Sequence, residues 1–319
     1  MERVRLMCWC RESVGGMHLP AFAAAEAGLF AAQGIEVEFV EGDVSPDWSL
    51  RGLSQSVKAL GAADADFALT SVAYLIAAQT DAGGHLPARF AAISHQRNPI
   101  VAVVREDSEF QEPADLPRAR AAKWCFPWLT QEYVGTLARM GHGRATVVES
   151  AGSLDLETLG GMNRALRDGD VDVIPTWMEM SPYHREARHR DAGFPTRVIP
   201  LDIDVYTTGL LAADRLPADL IARVRDAFVA GYDVQREDPE PGIAAFRRGS
   251  PSISDEHIRI NWALFEPNAF DGGRPGAMDA ERWEQTIDYT AATHSLSGFA
   301  GEEIYRPELL APALELAPA

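Results

Sequence analysis

Hydrophobic and polar positions alternate from the start of the chain: Val4, Leu6 and Cys8 fall on one side of a charged run, the period-2 signature of a strand. A loop through Gly15 and Gly16 leads to a helical stretch that opens at Pro20, sets Phe22, Leu29 and Phe30 near one face and ends at Gly34. Ile35–Val40 (IEVEFV) returns to period 2. Leu50–Leu60 predicts a helix, Asp66–Thr70 (DFALT) a buried strand, Ser71–Gln79 a short helix, and Phe90–Ile93 and Ile100–Val104 two more strands. After a polar, proline-bearing stretch from Glu106 to Arg120 the alternation resumes: strand Trp124–Phe126, helix Thr130–Met140, strand Ala145–Glu149, helix Leu156–Arg167 and strand Val171–Thr176. Val198–Leu211 predicts a return to the first lobe, and Pro217–Tyr232 an amphipathic helix with Leu220, Val224, Phe228 and Val229 on one side; the remainder is mostly helical. The expected fold class is α/β, two doubly wound lobes with mostly parallel sheets and a ligand cleft between them. Residues 1–105 form the first part of lobe 1, 106–200 form lobe 2, and 201–319 return to lobe 1 with the C-terminal helices.

Composition narrows the function. The 319 residues are 46% apolar and 24% charged, the mix of a globular chain. A formal charge of −18 makes a field that opposes phosphate backbones and anionic bilayers, so nucleic acid is not an expected partner. No run reaches the ~18 consecutive apolar residues of a membrane span, so membrane insertion is not expected. The opening MERVRLMCWC lacks the apolar core of a signal peptide, which reads as cytoplasmic for the chain as it stands, and as extracytoplasmic if the true start lies upstream. Three cysteines are too few for a disulfide scaffold in a chain of this length. Glycine-rich phosphate loops, HExxH pairs and GxSxG elbows are all absent from the sequence, so neither a cofactor nor a metal is expected.

What remains is a set of aromatic and small polar residues where strands should end, the place where open α/β sheets bind ligands. After the first strand come Trp9, Cys10 and, across the loop, His18; after DFALT, Thr70 and Ser71; in the second lobe, Trp128, Thr130 and Gln131, then Trp177 and Glu179. Thr70 and Ser71 at a helix start can offer hydroxyls and backbone amides to a ligand oxygen, or serve as a plain helix cap. Trp9, Trp128 and Trp177 can stack on a flat ligand, or fill the core. His18 can hydrogen-bond a ligand heteroatom or be satisfied by nearby backbone, and Glu179 can pair with a ligand amine or with a protein cation. Cys10 is a candidate nucleophile or a small buried thiol.

The runs His18–Gly42 (HLPAFAAAEAGLFAAQGIEVEFVEG), Ala65–Tyr74 (ADFALTSVAY) and Leu166–Met180 (LRDGDVDVIPTWMEM), followed by Arg236–Pro241 and the Trp283 region, resemble substrate-binding proteins related to the thiamine-pyrimidine synthases and the alkanesulfonate-binding proteins. The resemblance covers nearly the whole chain. It implies the type II periplasmic-binding-protein fold and a solute-binding protein of the ABC-importer type. The implied ligand is a small anionic organosulfur or an aromatic or N-heterocyclic compound, taken up by hinge closure, and the implied partner is an ABC permease. The alternative is a cytosolic enzyme on the same scaffold, pyrimidine-synthase-like or desulfinase-like, with Cys10 as nucleophile and His18 assisting. Thr70 stands where the pyrimidine synthases carry their pyridoxal-phosphate lysine, Tyr74 where they carry a histidine, and Asp202–Ala212 (DIDVYTTGLLA) replaces their iron motif. A cofactor-dependent pyrimidine synthase is therefore not the expected activity. Arg51-Gly52-Leu53 stands in place of the Arg-Gly-Gly element of the desulfinases.

Overall fold

The structure, a computed structural model, describes residues 1–8, 16–41, 55–84, 86–123, 127–148, 156–180, 194–250, 253–270, 273–299 and 301–310. The chain divides into two compact units: Met1–Arg97 with Asp204–Ala291 and Leu296–Ala319, and Asn98–Ile203 with Ala292–Ser295.

The first unit begins with β1 (Glu2–Cys8), α1 (Leu19–Glu26), α2 (Leu29–Ala32), β2 (Ile35–Glu41), α3 (Gln55–Gly61), β3 (Phe67–Ser71), α4 (Val72–Ala82) and β4 (Ala88–Ile93). The single helix expected from Pro20 to Gly34 is two, because Gly28 adopts the left-handed region at φ 72° and interrupts the right-handed turn. The second unit holds β5 (Ile100–Arg105), β6 (Arg120–Ala122), α5 (Pro127–Arg139), β7 (Thr146–Val148), α6 (Leu156–Asp168), β8 (Ile174–Trp177) and β9 (Thr196–Pro200). The strand expected at 124–126 lies outside the described residues. The chain re-enters the first unit with β10 (Thr208–Ala213), α7 (Ala218–Glu237), α8 (Glu240–Gly249), α9 (Asp255–Phe270) and α10 (Ala280–His294), whose last turn belongs to the second unit.

The first unit's sheet runs β2-β1-β3-β10-β4. Its first three strands are parallel, as the alternation of strands and helices predicts, but β10 is antiparallel to both β3 and β4. Four of the five strands thus share one direction, and β10 alone runs against them. β10 follows a strand of the other unit rather than a crossover helix, so the right-handed crossover rule does not fix its direction. Its Gly209 sits where an added Cβ would come within 2.2 Å of the Ala92 carbonyl oxygen, so only glycine lets β4 approach. In the second unit β5 pairs antiparallel with both β8 and β9, and β6 pairs parallel with β7. These partners put Ile100–Val104 in the second unit's sheet.

Leu6, Phe67, Leu69, Phe90 and Leu210 are fully buried in the first unit's sheet. Helix α1 packs against α7 and α8; a Cβ on Gly231 would meet the Pro20 carbonyl oxygen at 2.1 Å, which is how closely the first two approach. Trp283 anchors the C-terminal segment, stacked on Tyr305 with ring centres 5.0 Å apart and edge-on to Tyr206 at 5.2 Å. In the second unit, Val103, Leu129, Leu137, Leu166 and Ile174 are fully buried.

Candidate functional site

In the first unit β1 ends at Cys8, and Trp9 and Cys10 lie outside the described residues. His18 closes a short 3-10 turn, Gly16–His18, and caps α1 without a side-chain hydrogen bond to it. Its ring is fully buried and stacks on Phe246, centroids 6.2 Å apart and 16° from parallel. The turn is pressed onto α9, since a Cβ on Gly16 would fall 2.7 Å from that of Phe265.

Thr70 and Ser71 close β3 and are buried. The Ser71 hydroxyl accepts from the Ala73 amide at 3.2 Å, and the Val72 amide donates to the Thr207 carbonyl at 2.8 Å. Ser71 is thus a helix cap, and the first two amides of α4 are satisfied inside the protein. The same sheet end carries residues that the strand-by-strand reading missed. Ser94, His95 and Gln96 follow β4, Thr207 precedes β10 and Thr208 opens it, and all five are buried. His95 Nδ1 lies 2.5 Å from the Thr208 hydroxyl, and its ring meets the Phe265 ring edge-on at 4.8 Å. The strand-end rule applied to β4 would have found His95; Thr208 was hidden by the unforeseen direction of β10.

A pocket of about 260 Å3 opens in the first unit, lined by Gln96, Asp204, Tyr206, Asp279, Glu281, Arg282 and Gln285. It contains none of the candidate site residues read from the sequence. The Arg282 guanidinium pairs with Asp204 at 2.9 Å and donates to the Gln96 carbonyl and side-chain oxygens at 3.3 Å. Burial pushes the Tyr206 phenol up to about 12, and its oxygen accepts from the Asp279 amide at 2.8 Å.

In the second unit, Trp128 and Trp177 are brought together edge to face, centroids 5.3 Å apart at 70°. Both are buried, Trp177 at 1% exposure. Trp128 stands in the first turn of α5 and Trp177 ends β8, so a helix start and a strand end meet here. Thr130 is buried on the same helix, and Glu179 is fully buried on the 3-10 turn Met178–Met180. Gln131 is exposed. The Trp177 indole N–H donates to Glu132 Oε2 at 3.2 Å. The other carboxylate oxygen faces His294 Nε2 at 3.8 Å, and His294 Nδ1 lies 3.1 Å from Gln131 Oε1. Next to Glu132, burial alone raises the Tyr133 hydroxyl far above its ordinary range. Gly135 lets the last turn of α10 come in close, for its Cβ would meet the Thr293 hydroxyl at 2.3 Å. Glu132 could have been found in the sequence, since it lies four residues after Trp128 and so on the same helix face. His294 carries no such signal. Among the described residues no group of three or more His, Cys, Asp or Glu could hold a metal.

The sequence profile of the family described as NMT1/THI5 like matches residues 16–241, more than half of the chain. The chain belongs to the NMT1/THI5-like family. Among solved structures similar to this NMT1/THI5-like chain is the periplasmic aliphatic sulphonate binding protein SsuA from Escherichia coli, 17% identical, covering 92% of this chain and 87% of that one with a TM-score of 0.63. The alkanesulfonate-binding protein SsuA from Xanthomonas axonopodis pv. citri, solved bound to MOPS, is 13% identical over 98% and 99% of the two chains, with a TM-score of 0.58. The desulfurization enzyme DSZB is 16% identical over 98% and 97%, with a TM-score of 0.57. No curated protein sequence matches the chain. The likenesses establish the periplasmic-binding-protein fold for this member of the NMT1/THI5-like family.

Proposed function

We propose that this chain is a solute-binding protein of the ABC-importer type whose ligand is a small anionic organosulfur or an aromatic or N-heterocyclic compound. The observation that carries the reading is the set of hydroxyl and imidazole groups gathered at one end of the first unit's sheet, at Thr70, Ser71, His95 and Thr208, in a chain of this family. Such hydrogen-bonding groups suit sulfonate oxygens and carbonyls alike. In this reading His18, Trp9 and Cys10 add to that set. The second unit's candidates are the tryptophan pair Trp128 and Trp177, with Thr130 and Glu179. The role calls for a permease partner and a place outside the cytoplasm; among the described residues no helix is long and apolar enough to cross a membrane.

Thermal-shift measurements with MOPS, ethanesulfonate, benzenesulfonate, a pyrimidine and an aromatic carboxylate test the reading. A ligand at one hundred times its Kd stabilises the folded state by about 2.7 kcal/mol, so a sulfonate or heterocycle is expected to raise the Tm by several degrees. No rise with any of them at millimolar concentration would sink the proposal. The likeness to DSZB favours one other reading, a desulfinase with Cys10 as nucleophile. Sulfite released from an arylsulfinate by the wild type, and abolished in Cys10→Ser, would decide for it.

A further inference from the structure

The first unit's pocket has no part in the solute-binding reading, and its lining is polar throughout. At about 260 Å3 it falls just below the ~300–1,000 Å3 of sites that take drug-sized molecules, so it suits one small compound. Its charges are partly matched already. Asp204 holds the Arg282 guanidinium by two contacts, at 2.9 and 3.2 Å, and that guanidinium also lies over the Tyr206 ring, 5.3 Å from its centre. Arg282 is the one cation of the lining and is thus engaged, while Asp279 and Glu281 leave the pocket acidic and unsuited to an anion. The hydrogen-bonding capacity left over is of both kinds. Asp279 caps α10 through Oδ1, which accepts the Arg282 amide at 2.8 Å, and its Oδ2 has no hydrogen-bond partner among the described residues. The Glu281 carboxylate takes one long contact, 3.5 Å from Gln285 Nε2. Against these acceptors stands a buried donor. Tyr206 is 3% exposed, and its oxygen accepts the Asp279 amide at 2.8 Å, but its own O–H proton has no acceptor among the described residues. Burial keeps that proton in place, pushing the phenol up to about 12. A buried donor left unmatched costs free energy that a ligand oxygen would restore.

We propose that this pocket binds a small polyhydroxy compound, an open-chain polyol or a single sugar ring, through Tyr206, Asp279, Glu281 and Gln285. A hydroxyl is one donor and two acceptors at once. One ligand hydroxyl can therefore donate to Asp279 Oδ2 and accept from the Tyr206 O–H, two groups already joined through the Asp279 amide. A neighbouring hydroxyl can donate to Glu281 and accept from the Gln285 amide, which lie four residues apart and so on one face of α10. Hydrogen bonds from hydroxyl to carboxylate are charge-assisted and roughly twice as strong as neutral ones. An alkylammonium would match the carboxylates but offers no acceptor to Tyr206 or Gln285. None of these four residues is assigned to the solute, so the two proposals stand or fall separately.

The test uses the full chain with 15N-labelled glutamine, xylitol and glucose as probes, and ethylammonium and acetate as controls. All are kept at or below about 50 mM, so that exclusion of polyols from the surface, which stabilises any fold, stays negligible. The signal missing in Gln285→Ala identifies the Gln285 side-chain amide. At least one polyol is expected to shift that signal saturably, with a Kd in the millimolar range or below, and both controls to bind at least about tenfold more weakly. Glu281→Ala and Tyr206→Phe each remove one hydrogen-bonding group and should weaken the polyol by about fivefold or more. The thermal response to benzenesulfonate should be the same in both variants as in the wild type. Glu281 is exposed, so its variant is expected to fold normally and decides the matter should Tyr206→Phe not fold. No saturable shift with either polyol overturns the proposal, as does an affinity that survives the Glu281 variant. Ethylammonium binding as tightly as the polyol overturns it too, because the pocket would then be selecting charge alone. A polyol that binds as expected in a protein that answers to no sulfonate or heterocycle would sink the solute-binding reading and leave this site standing.

Discussion

At the scale of single residues, Trp177 shows how packing and recognition compete for one side chain. At 1% exposure, edge-on to Trp128 and bonded to Glu132, it is a core residue of its unit. Trp177→Ala would empty an indole-sized volume and leave Glu132 short of a donor, with an expected loss of about 3–5 kcal/mol in folding stability. Urea denaturation checks the figure; a loss below about 1 kcal/mol would mean that the ring carries little of the core. The sequence made this tryptophan visible because it ends a strand, and Glu132 was within reach of the same reading at four residues from Trp128. His294 was not legible, because its contact to Gln131 spans 163 positions and nothing local encodes it. The His95 contact to Thr208, across 113 positions, was hidden for the same reason.

At the scale of elements, the sequence read best where one periodicity ran without interruption, as in β1, β2, β3 and the amphipathic α7. It misread α1 and α2 as one helix because the apolar positions continue through Gly28, and only the left-handed backbone there reveals the break. Ser71 shows how an element's end can hold two roles. Its hydroxyl caps α4. Ser71→Ala is therefore expected to cost about 1 kcal/mol, and Ser71→Asp, another good cap, to restore most of it. Stability by chemical denaturation and affinity for a sulfonate, measured on both variants, separate the roles. If stability returns in the Asp variant while affinity stays low, the hydroxyl also serves the ligand; if affinity follows stability throughout, Ser71 is a cap only.

At the scale of the whole molecule, the charge of −18 is borne partly by carboxylates paired with arginines. The hydrogen bond from Arg120 holds Asp172 below its ordinary value of 3.8, and that from Arg167 does the same for Asp168. A carboxylate whose folded pKa is depressed adds stability that is complete above the unfolded value and is lost as pH falls through the folded one. The Tm is expected to hold near pH 6 and fall below about pH 4, with a shallower fall in Asp172→Asn; an equally steep fall in that variant would remove Asp172 from the explanation. Salt should weaken the effect, because both pairs are partly exposed. The course of the returning strand was not foreseen, since direction is set by where the chain comes from. That course bears on how the protein is made. β10 lies between β3 and β4, yet the ribosome delivers it only after the whole of Asn98–Ile203. Until then β3 and β4 each lack a neighbour, and unpaired strand edges invite association with other chains. Nascent chains arrested after residue 203 are expected to be protease-sensitive at β3 and β4, and chains arrested beyond α7 to be protected there. Protection at both arrest points would show that the early strands find another partner. On this view the part of the molecule that leaves the ribosome first is the part that closes last.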